Sequence, residues 1–518
     1  MDQTSIFDLM YEKYKITKPI RLIEFFAGYG SQALALKYLG VKFEHWKTCE
    51  WAIKSIQAYK DIHFADADID YSKDLTKEEL QEYLFNKGIS SNYNEPMKLD
   101  QIKRLNEKQL RTIYNNIQTS HNLVNIQQVK GKDLNIVDAD KYDYILTYSF
   151  PCQDLSLAGK GKGMSDTSTR SGMLWEVERI LTECQELGEL PQILLMENVP
   201  QVHSVDNVAD FNKWKDRLEE LGYKNYFQDL IATDYGIPQT RNRCFMISIL
   251  GDYSYTFPKP IPLKLKLKDM LEDNVEEKYF LSDKMIEFFK HNEEKQKEKG
   301  NGFRFNVSDG NVIAKTITTL AGNRMDDNFI NETSDTLKKD LCNKLIQEGL
   351  VEEGDVVKHS YTQQILDGNK KCVEKNDGNM ITLTTRGDCV GVTVADDMYT
   401  ESERQLFTKD GNIKRYMNSD IVDEFKEGQM ATTTYPNGYG HGPRTHDNSV
   451  ALNTIDKPSV KQNLRIRKLT PRECFRLMGV KDEDYLNCAK NQSDASLYHL
   501  AGDSIVVNVL MAIFKELL

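Results

Sequence analysis

The stretch "IRLIEFFAGYGSQALALKYLG", residues 20 to 40, constrains the fold more than any other. An apolar run from Ile20 to Phe26 breaks at Gly28 and Gly30, and apolar residues then recur at helical spacing as far as Leu39. That pattern predicts a strand, a tight turn and a helix. Three later apolar runs, "YDYILTYSF" (142–150), "ILLMENV" (193–199) and "CFMISIL" (244–250), read as buried parallel strands with helices between them. The expected class is α/β, an open sheet whose ligands bind beyond the carboxyl ends of its strands.

With 518 residues the chain is too long for one small core. A polar piece from about 66 to 125, with "TKEELQEYLF" and "LDQIKRLNEKQLRTIYNNI", reads as a helical insertion. After Leu250 the prolines of "FPKPIPLKLKLKDML" introduce a stretch rich in Thr, Asn, Asp and Gly, expected to form a second, strand-and-loop domain. Within it a threonine-rich phrase recurs as "AKTITTLAGN" (314–323), "MITLTTRGDCVGV" (380–392) and "MATTTYPNGYG" (430–440), at spacings too uneven for a solenoid. Either a module was reused or threonine serves three edge strands.

Nine cysteines form no CxxC pair, which favours neither a zinc ribbon nor a disulfide framework and fits a reducing cytosol. No metal site is expected. The first 20 residues lack the pattern of a secretory signal, and no run reaches the roughly 18 apolar residues of a membrane span. A net charge of −12 means that any contact with a polyanion must be local. "LKLKLK" (263–268) and "RIRK" (465–468) are such clusters, or solvated faces.

Gly28 and Gly30 lie at a strand-to-helix turn, where the backbone can approach a nucleotide-like ligand or simply needs the geometry. Glu50, at the end of the next strand, suits ribose hydroxyls, and Trp51 offers an adenine face or a core ring. Cys152 follows a strand end as a nucleophile or a packed thiol. Its following loop, "QDLSLAGKGKGMSDTSTRSG", has the glycines and cations of a segment that closes over a polyanion. Glu197 and Asn198 end another strand. Arg241 and Arg243, one residue apart before a strand, would share a face in extended backbone.

In this order, FAGYG, PCQ, ENV and QTRNR resemble the motifs of the DNA (cytosine-5) methyltransferase family, as do "RKLTPRECFRLMGV" (467–480) and "AGDSIVVNVL" (501–510). The resemblance covers residues 20–250 and 464–518. It implies a Rossmann-like S-adenosylmethionine-dependent methyltransferase domain at 1–255 and a variable target-recognition domain at 256–465. A small-domain scaffold segment follows at 466–500, and 501–518 returns to the catalytic domain. It implies cofactor contacts from Phe26, Ala27, Gly28, Gly30, Glu50, Trp51, Asp133, Leu134, Pro151 and Ser504. It makes Cys152 the nucleophile, Glu197 the partner of cytosine N3, and Arg241 and Arg243 orienting groups.

Asp503 stands where the family has asparagine. One of Thr319, Thr384 and Thr433 would approach the flipped nucleotide. The implied reaction transfers a methyl group from S-adenosylmethionine, leaving S-adenosylhomocysteine, to cytosine C5 through a Cys152–C6 adduct. The implied setting is a cytoplasmic monomer acting on double-stranded DNA without a membrane, with a cognate restriction endonuclease as a possible companion. The alternatives are a tRNA methyltransferase with the same motifs, or a catalytically silent DNA-binding protein on this scaffold.

Overall fold

The computed structural model describes residues 11–150, 171–300, 302–332 and 465–518, with five short strands between 356 and 446. Two compact units divide the chain, Met1–Ile330 with Lys468–Leu518, and Asn331–Arg467.

In the first unit, β1 (Ile20–Phe25), β2 (Phe43–Cys49), β3 (Asp143–Tyr148), β4 (Ile193–Asn198), β5 (Tyr223–Ile231) and β6 (Asn242–Leu250) form one sheet in the order β2-β1-β3-β4-β6-β5. The first four run parallel, as the apolar character of β1, β3 and β4 predicts, while β2, FEHWKTC, is the half-exposed edge. Successive residues serve opposite faces. Ile20, Leu22, Ile145, Ile193 and Leu195 enter one core, and Ile23, Phe25, Leu146, Leu194 and Met196 enter the other.

The run 244–250 departs from expectation, because β6 is antiparallel to both neighbours, with Glu197 opposite Phe245. The crossover through the helix Val208–Glu220 carries β5 parallel to β4 but one position beyond it, and a direct reversal then drops β6 into the gap. That reversal is where the two arginines sit.

Helices α1 (Ser31–Tyr38) and α2 (Ile53–His63) follow β1 and β2. The inserted segment folds as α3 (Lys77–Lys87), α4 (Leu99–Lys103) and α5 (Glu107–Thr119). Reciprocal caps between Thr76 and Glu79, and between Asn106 and Gln109, start α3 and α5. Leu80, Leu84, Ile102, Leu110, Ile113 and Ile117 make its own small core around Ile56 of α2. The opposite core holds α6 (Leu174–Leu187) and α7 (Val208–Glu220).

The first unit continues past 255 through α8 (Asp283–Glu298) and a short parallel pair, β7 (Val307–Ser308) and β8 (Phe329–Glu332). It resumes with α9 (Pro471–Leu477), α10 (Asp482–Ala489), α11 (Asp494–Asp503) and α12 (Val507–Leu517). Buried Asp484 accepts from Lys37 Nζ at 2.7 Å and from Tyr38 Oη at 2.6 Å, tying α10 to α1. Contrary to expectation, the span Asp494–Leu517 has the length and composition to cross a membrane. Its apolar side chains, among them Leu497, Leu510, Ile513 and Phe514, lie in the core that also holds α1.

In the second unit, β9 (Val356–Lys358) pairs antiparallel with β10 (Val373–Glu374) and β11 (Cys389–Gly391), and β12 (Met430–Thr432) pairs with β13 (Arg444–His446). Two of these strands fall within threonine-rich phrases. Thr384 and Thr433 lie outside the described residues. "RIRK" is no exposed cationic face throughout, since Arg467 is 1% exposed and bonded to Glu332.

Candidate active site

The carboxyl ends of β1, β2, β3 and β4 open onto one cleft of about 440 Å³. Phe26 and Gly28 leave β1 in left-handed backbone, φ 55° for both. Glycine adopts this freely, and a side chain built on Gly28 would meet nothing within 4 Å. Gly30 has a different task. A Cβ there would lie 2.4 Å from His63 Nε2 and 2.6 Å from a Tyr59 ring carbon, so its absence lets α1 start against α2. Gly30 and buried Ala27, both expected from the sequence to contact the cofactor, are not among the residues lining the cleft.

Glu50 follows β2. Its carboxylate accepts from Gly28 N–H at 3.0 Å and Ala52 N–H at 2.8 Å, bridging two turns that face the cleft. Burial pushes its carboxyl up to about 7 against the pull of those two donors. Trp51 stands beside it in the lining.

Asn122 holds this corner from outside the sheet. Its side chain accepts from Glu50 N–H and Val124 N–H and donates to the Glu50 carbonyl, all within 3.0 Å. The backbone thereby delivers Val124, Asn125 and Ile126 to the cleft, with Val124 at φ 72°, an outlier for a β-branched residue.

Asp133 and Leu134 are not there. Asp133 caps the next 3-10 turn through Lys130 N–H, and Leu134 is fully buried in the second core. Asn125 and Ile126 occupy the cleft instead, and an asparagine followed by isoleucine carries no charge signal to find them by.

At the other end, Glu197 closes β4, 6% exposed. Arg243 Nε lies 3.1 Å from its Oε1. Burial raises the Glu197 carboxyl, and Arg243 and then Arg241 oppose the rise. Asn198 donates to the Phe150 carbonyl at 3.0 Å and accepts from Val199 N–H at 2.8 Å, fixing the strand end that leads to residue 151. Pro151 and Cys152 lie outside the described residues.

Arg241 and Arg243 do not share a role. Arg241, 4% exposed, donates to the carbonyls of Ile317, Gly502 and Ser504 at 2.8–3.0 Å. Its neighbour Gln239, wholly buried, donates to the Leu477 carbonyl and accepts from Ile317 N–H. Arg241 is therefore a bolt holding three distant backbones at the cleft wall rather than a free orienting group. Burial, then Arg243, pulls its guanidinium down to about 9. The bolt brings in residues that sequence reading did not place, because carbonyl partners 261 and 263 positions away leave no local pattern.

Ser504 reaches the cleft as expected, with its hydroxyl donating to the Leu500 carbonyl at 2.6 Å. Asp503 lines the cleft too, paired with His499 at 3.2 Å. Gly502 packs against the first threonine phrase so closely that a Cβ would lie 2.2 Å from Thr319 N. Away from the cleft, His203 and Asp229 hydrogen-bond at 2.9 Å beside Cys244, and all three carry ligand-capable atoms within 4.8 Å of one another.

The cleft thus has an end with aromatic faces and a backbone-held carboxylate, and an end with a proton-accepting carboxyl paired to a guanidinium. Its volume and mixed lining suit a nucleoside-bearing cofactor beside a base.

The description C-5 cytosine-specific DNA methylase matches residues 101–518. The chain is 39% identical over 272 residues to the orphan methyltransferase M.SssI of Spiroplasma monobiae, covering 51% of this chain and 68% of that protein. It is 36% identical over 271 residues to the type II methyltransferase M2.ScrFI of Lactococcus lactis subsp. cremoris, covering 52% and 71%. The orphan methyltransferase M.SPRI of Bacillus phage SPR is 26% identical over 419 residues, covering 76% and 87%. The chain belongs to the C-5 cytosine-specific DNA methylase family, and its reaction is methyl transfer from S-adenosylmethionine to C5 of cytosine in DNA.

Proposed function

We propose that Cys152 is the nucleophile of this reaction, that Glu197 and Arg243 hold the target cytosine, and that Phe26, Gly28, Glu50, Trp51, Asn125, Ile126 and Ser504 hold S-adenosylmethionine. The Glu197–Arg243 pair, buried in the same cleft as Glu50, is the observation that carries this reading. The cleft fits the cofactor. The space over Gly28 admits a ligand against the backbone, and Glu50 offers a carboxylate to hydroxyl donors.

When bound, S-adenosylmethionine supplies an electrophilic methyl group on a sulfonium. C5 of cytosine is a poor nucleophile until C6 carries an electron-rich substituent. Attack of the Cys152 thiolate on C6 forms the sulfur–carbon bond and moves the ring electrons towards C5 and N3. Glu197 gives N3 its proton as that charge develops, and burial, by raising its carboxyl, favours the protonated form that this step needs. Arg243 stays beside the carboxylate that remains. Once C5 carries the methyl, water takes the C5 proton, the C6–sulfur bond breaks to release the Cys152 thiolate and restore the C5–C6 double bond, and N3 returns its proton to the Glu197 carboxylate.

The target base must leave the stack to enter such a cleft, at an unstacking cost of a few kcal/mol. Its sequence context is read by the unit Asn331–Arg467, whose short strands suit groove contacts. Thr319, whose backbone packs directly against Gly502 of the cleft wall, is the threonine placed beside the base. The enzyme works as a monomer in the cytoplasm of a prokaryotic cell, without a metal, and a cognate restriction endonuclease is its companion. A type II methyltransferase among its relatives supports that pairing.

The test incubates purified protein and Cys152→Ser with labelled S-adenosylmethionine and, separately, duplex DNA and tRNA, followed by nucleoside mass spectrometry and bisulfite sequencing. Wild type is expected to place 5-methylcytosine at one DNA motif. The variant is expected to bind cofactor within a few-fold of wild type and to methylate nothing. Full methylation by Cys152→Ser would remove the nucleophile assignment.

A further inference from the structure

The inserted helical segment returns to the cleft at the turn 90–95. Ser90 is fully buried, its N–H donates to the Trp51 carbonyl at 2.8 Å, and its carbonyl accepts from Ile53 N–H at 2.9 Å. The turn is thus joined to the backbone that carries Glu50 and Trp51. Internally, Ser90 Oγ donates to the Glu95 carbonyl at 2.7 Å, and Asn92 Oδ1 accepts from the N–H groups of Asn94 and Glu95.

Tyr93 sits in this turn with φ 63°, a left-handed conformation that is costly for a residue with a side chain. The strain aims its ring inward. The ring stacks on His499 with centroids 4.0 Å apart and planes 18° from parallel, and His499 pairs with Asp503. The Tyr93 hydroxyl is buried beside Ser55 and Ser496 without a well-aligned hydrogen bond. Tyr93, His499 and Asp503 all line the cleft, at the Glu50 end. A hairpin between two surface helices has no packing need for an aromatic residue held in strained backbone against a ligand cleft.

We propose that Tyr93 is a cofactor-binding residue, supplied by the inserted segment, which with His499 walls the end of the cleft where Glu50 receives the ribose of S-adenosylmethionine. This rests on the reading of the cleft as the cofactor site. The ring adds an apolar face to those that Phe26 and Trp51 bring from the strand ends, and its stacking holds His499 in the wall. The insertion therefore belongs to the cofactor site as well as to the surface.

Isothermal titration of S-adenosylhomocysteine into wild type, Tyr93→Asn and His499→Gln, with thermal melts of each ligand-free protein, tests this. Asparagine tolerates left-handed backbone, so the first variant removes the ring and keeps the turn. Each variant is expected to bind about tenfold more weakly, the worth of one stacked ring face. The double variant should be little worse than either single one, because the two rings act as a unit.

Wild-type binding with the affinity of Tyr93→Asn unchanged and its melt lowered would make Tyr93 structural and overturn the inference. Should Tyr93→Asn fail to fold, unchanged affinity in His499→Gln overturns it alone, and a tenfold loss there upholds it. Absence of binding by wild type would overturn the cofactor reading of the cleft itself.

Discussion

Two carboxyl groups, Glu197 buried and Glu50 half-buried, face one cleft from β4 and from the end of β2, with β1 and β3 between them, and they are held in different ways. Glu50 accepts two backbone N–H bonds, from Gly28 and Ala52. Glu197 is paired instead with the guanidinium of Arg243. Burial raises both. A carboxylate fixed by backbone donors has its geometry set before any ligand arrives, which suits steady acceptance of hydroxyl hydrogens. A carboxyl whose partner is a side-chain cation can give up a proton and keep a counter-charge at hand. Burial alone does not assign the chemistry; the partner does.

The largest effect expected from this contrast is on Glu197→Gln. The amide keeps shape and hydrogen bonding but has no proton to give to N3, so single-turnover methylation should slow by roughly 10²–10⁴-fold with cofactor affinity unchanged. A rate within threefold of wild type would erase the distinction between the two carboxyls.

Glu50→Ala should do the reverse. Loss of the charged acceptor should weaken S-adenosylmethionine binding by roughly 10–100-fold, while the rate at saturating cofactor changes little. Equal loss in both parameters would show that Glu50 also shapes the base end.

Glu24 is the control, a third carboxyl, buried and raised to about 7, that does not line the cleft. It accepts from Tyr59 Oη at 2.5 Å and Ala33 N–H at 3.3 Å. A folded-state pKa above the unfolded value adds stability below the unfolded pKa, and that stability is lost as pH rises through about 7. Glu24→Gln should therefore gain on wild type by about 2–3 kcal/mol between pH 5 and pH 8, on top of whatever constant offset the weakened Tyr59 bond adds. Thermal melts across that range check it; a constant difference would mean that Glu24 does not titrate there.

Much of this was legible in the sequence. Ile20–Phe25 is mostly apolar and Ile193–Met196 wholly so, and buried strands, with polar ends at Glu197 and Asn198, followed from that. Local letters failed where long-range geometry decides. The antiparallel β6 looks like a parallel strand because both kinds are buried on two faces here. Asp133 offered a charge in the right neighbourhood, but Asn122 steers a different pair, Asn125 and Ile126, into the cleft. Arg241 and Arg243 share a motif and a spacing, yet only the fold tells bolt from partner. Tyr93 is the extreme case, an ordinary tyrosine in a polar turn whose place depends on Ser90 bonding to Trp51 and Ile53.

The bolt made by Arg241 has a consequence for how the enzyme comes into being. A nascent chain that has emerged through β6 has every strand of its sheet, but the carbonyls of Gly502 and Ser504 that Arg241 requires are still about 250 residues from being made. At bacterial or eukaryotic synthesis rates that interval lasts roughly ten to fifty seconds. Through it the Arg241 guanidinium and the face of α1 that packs on Leu510 and Ile513 have no cover, and the cleft wall that Gly502 and Ser504 supply is missing, so the sheet is finished well before the site is.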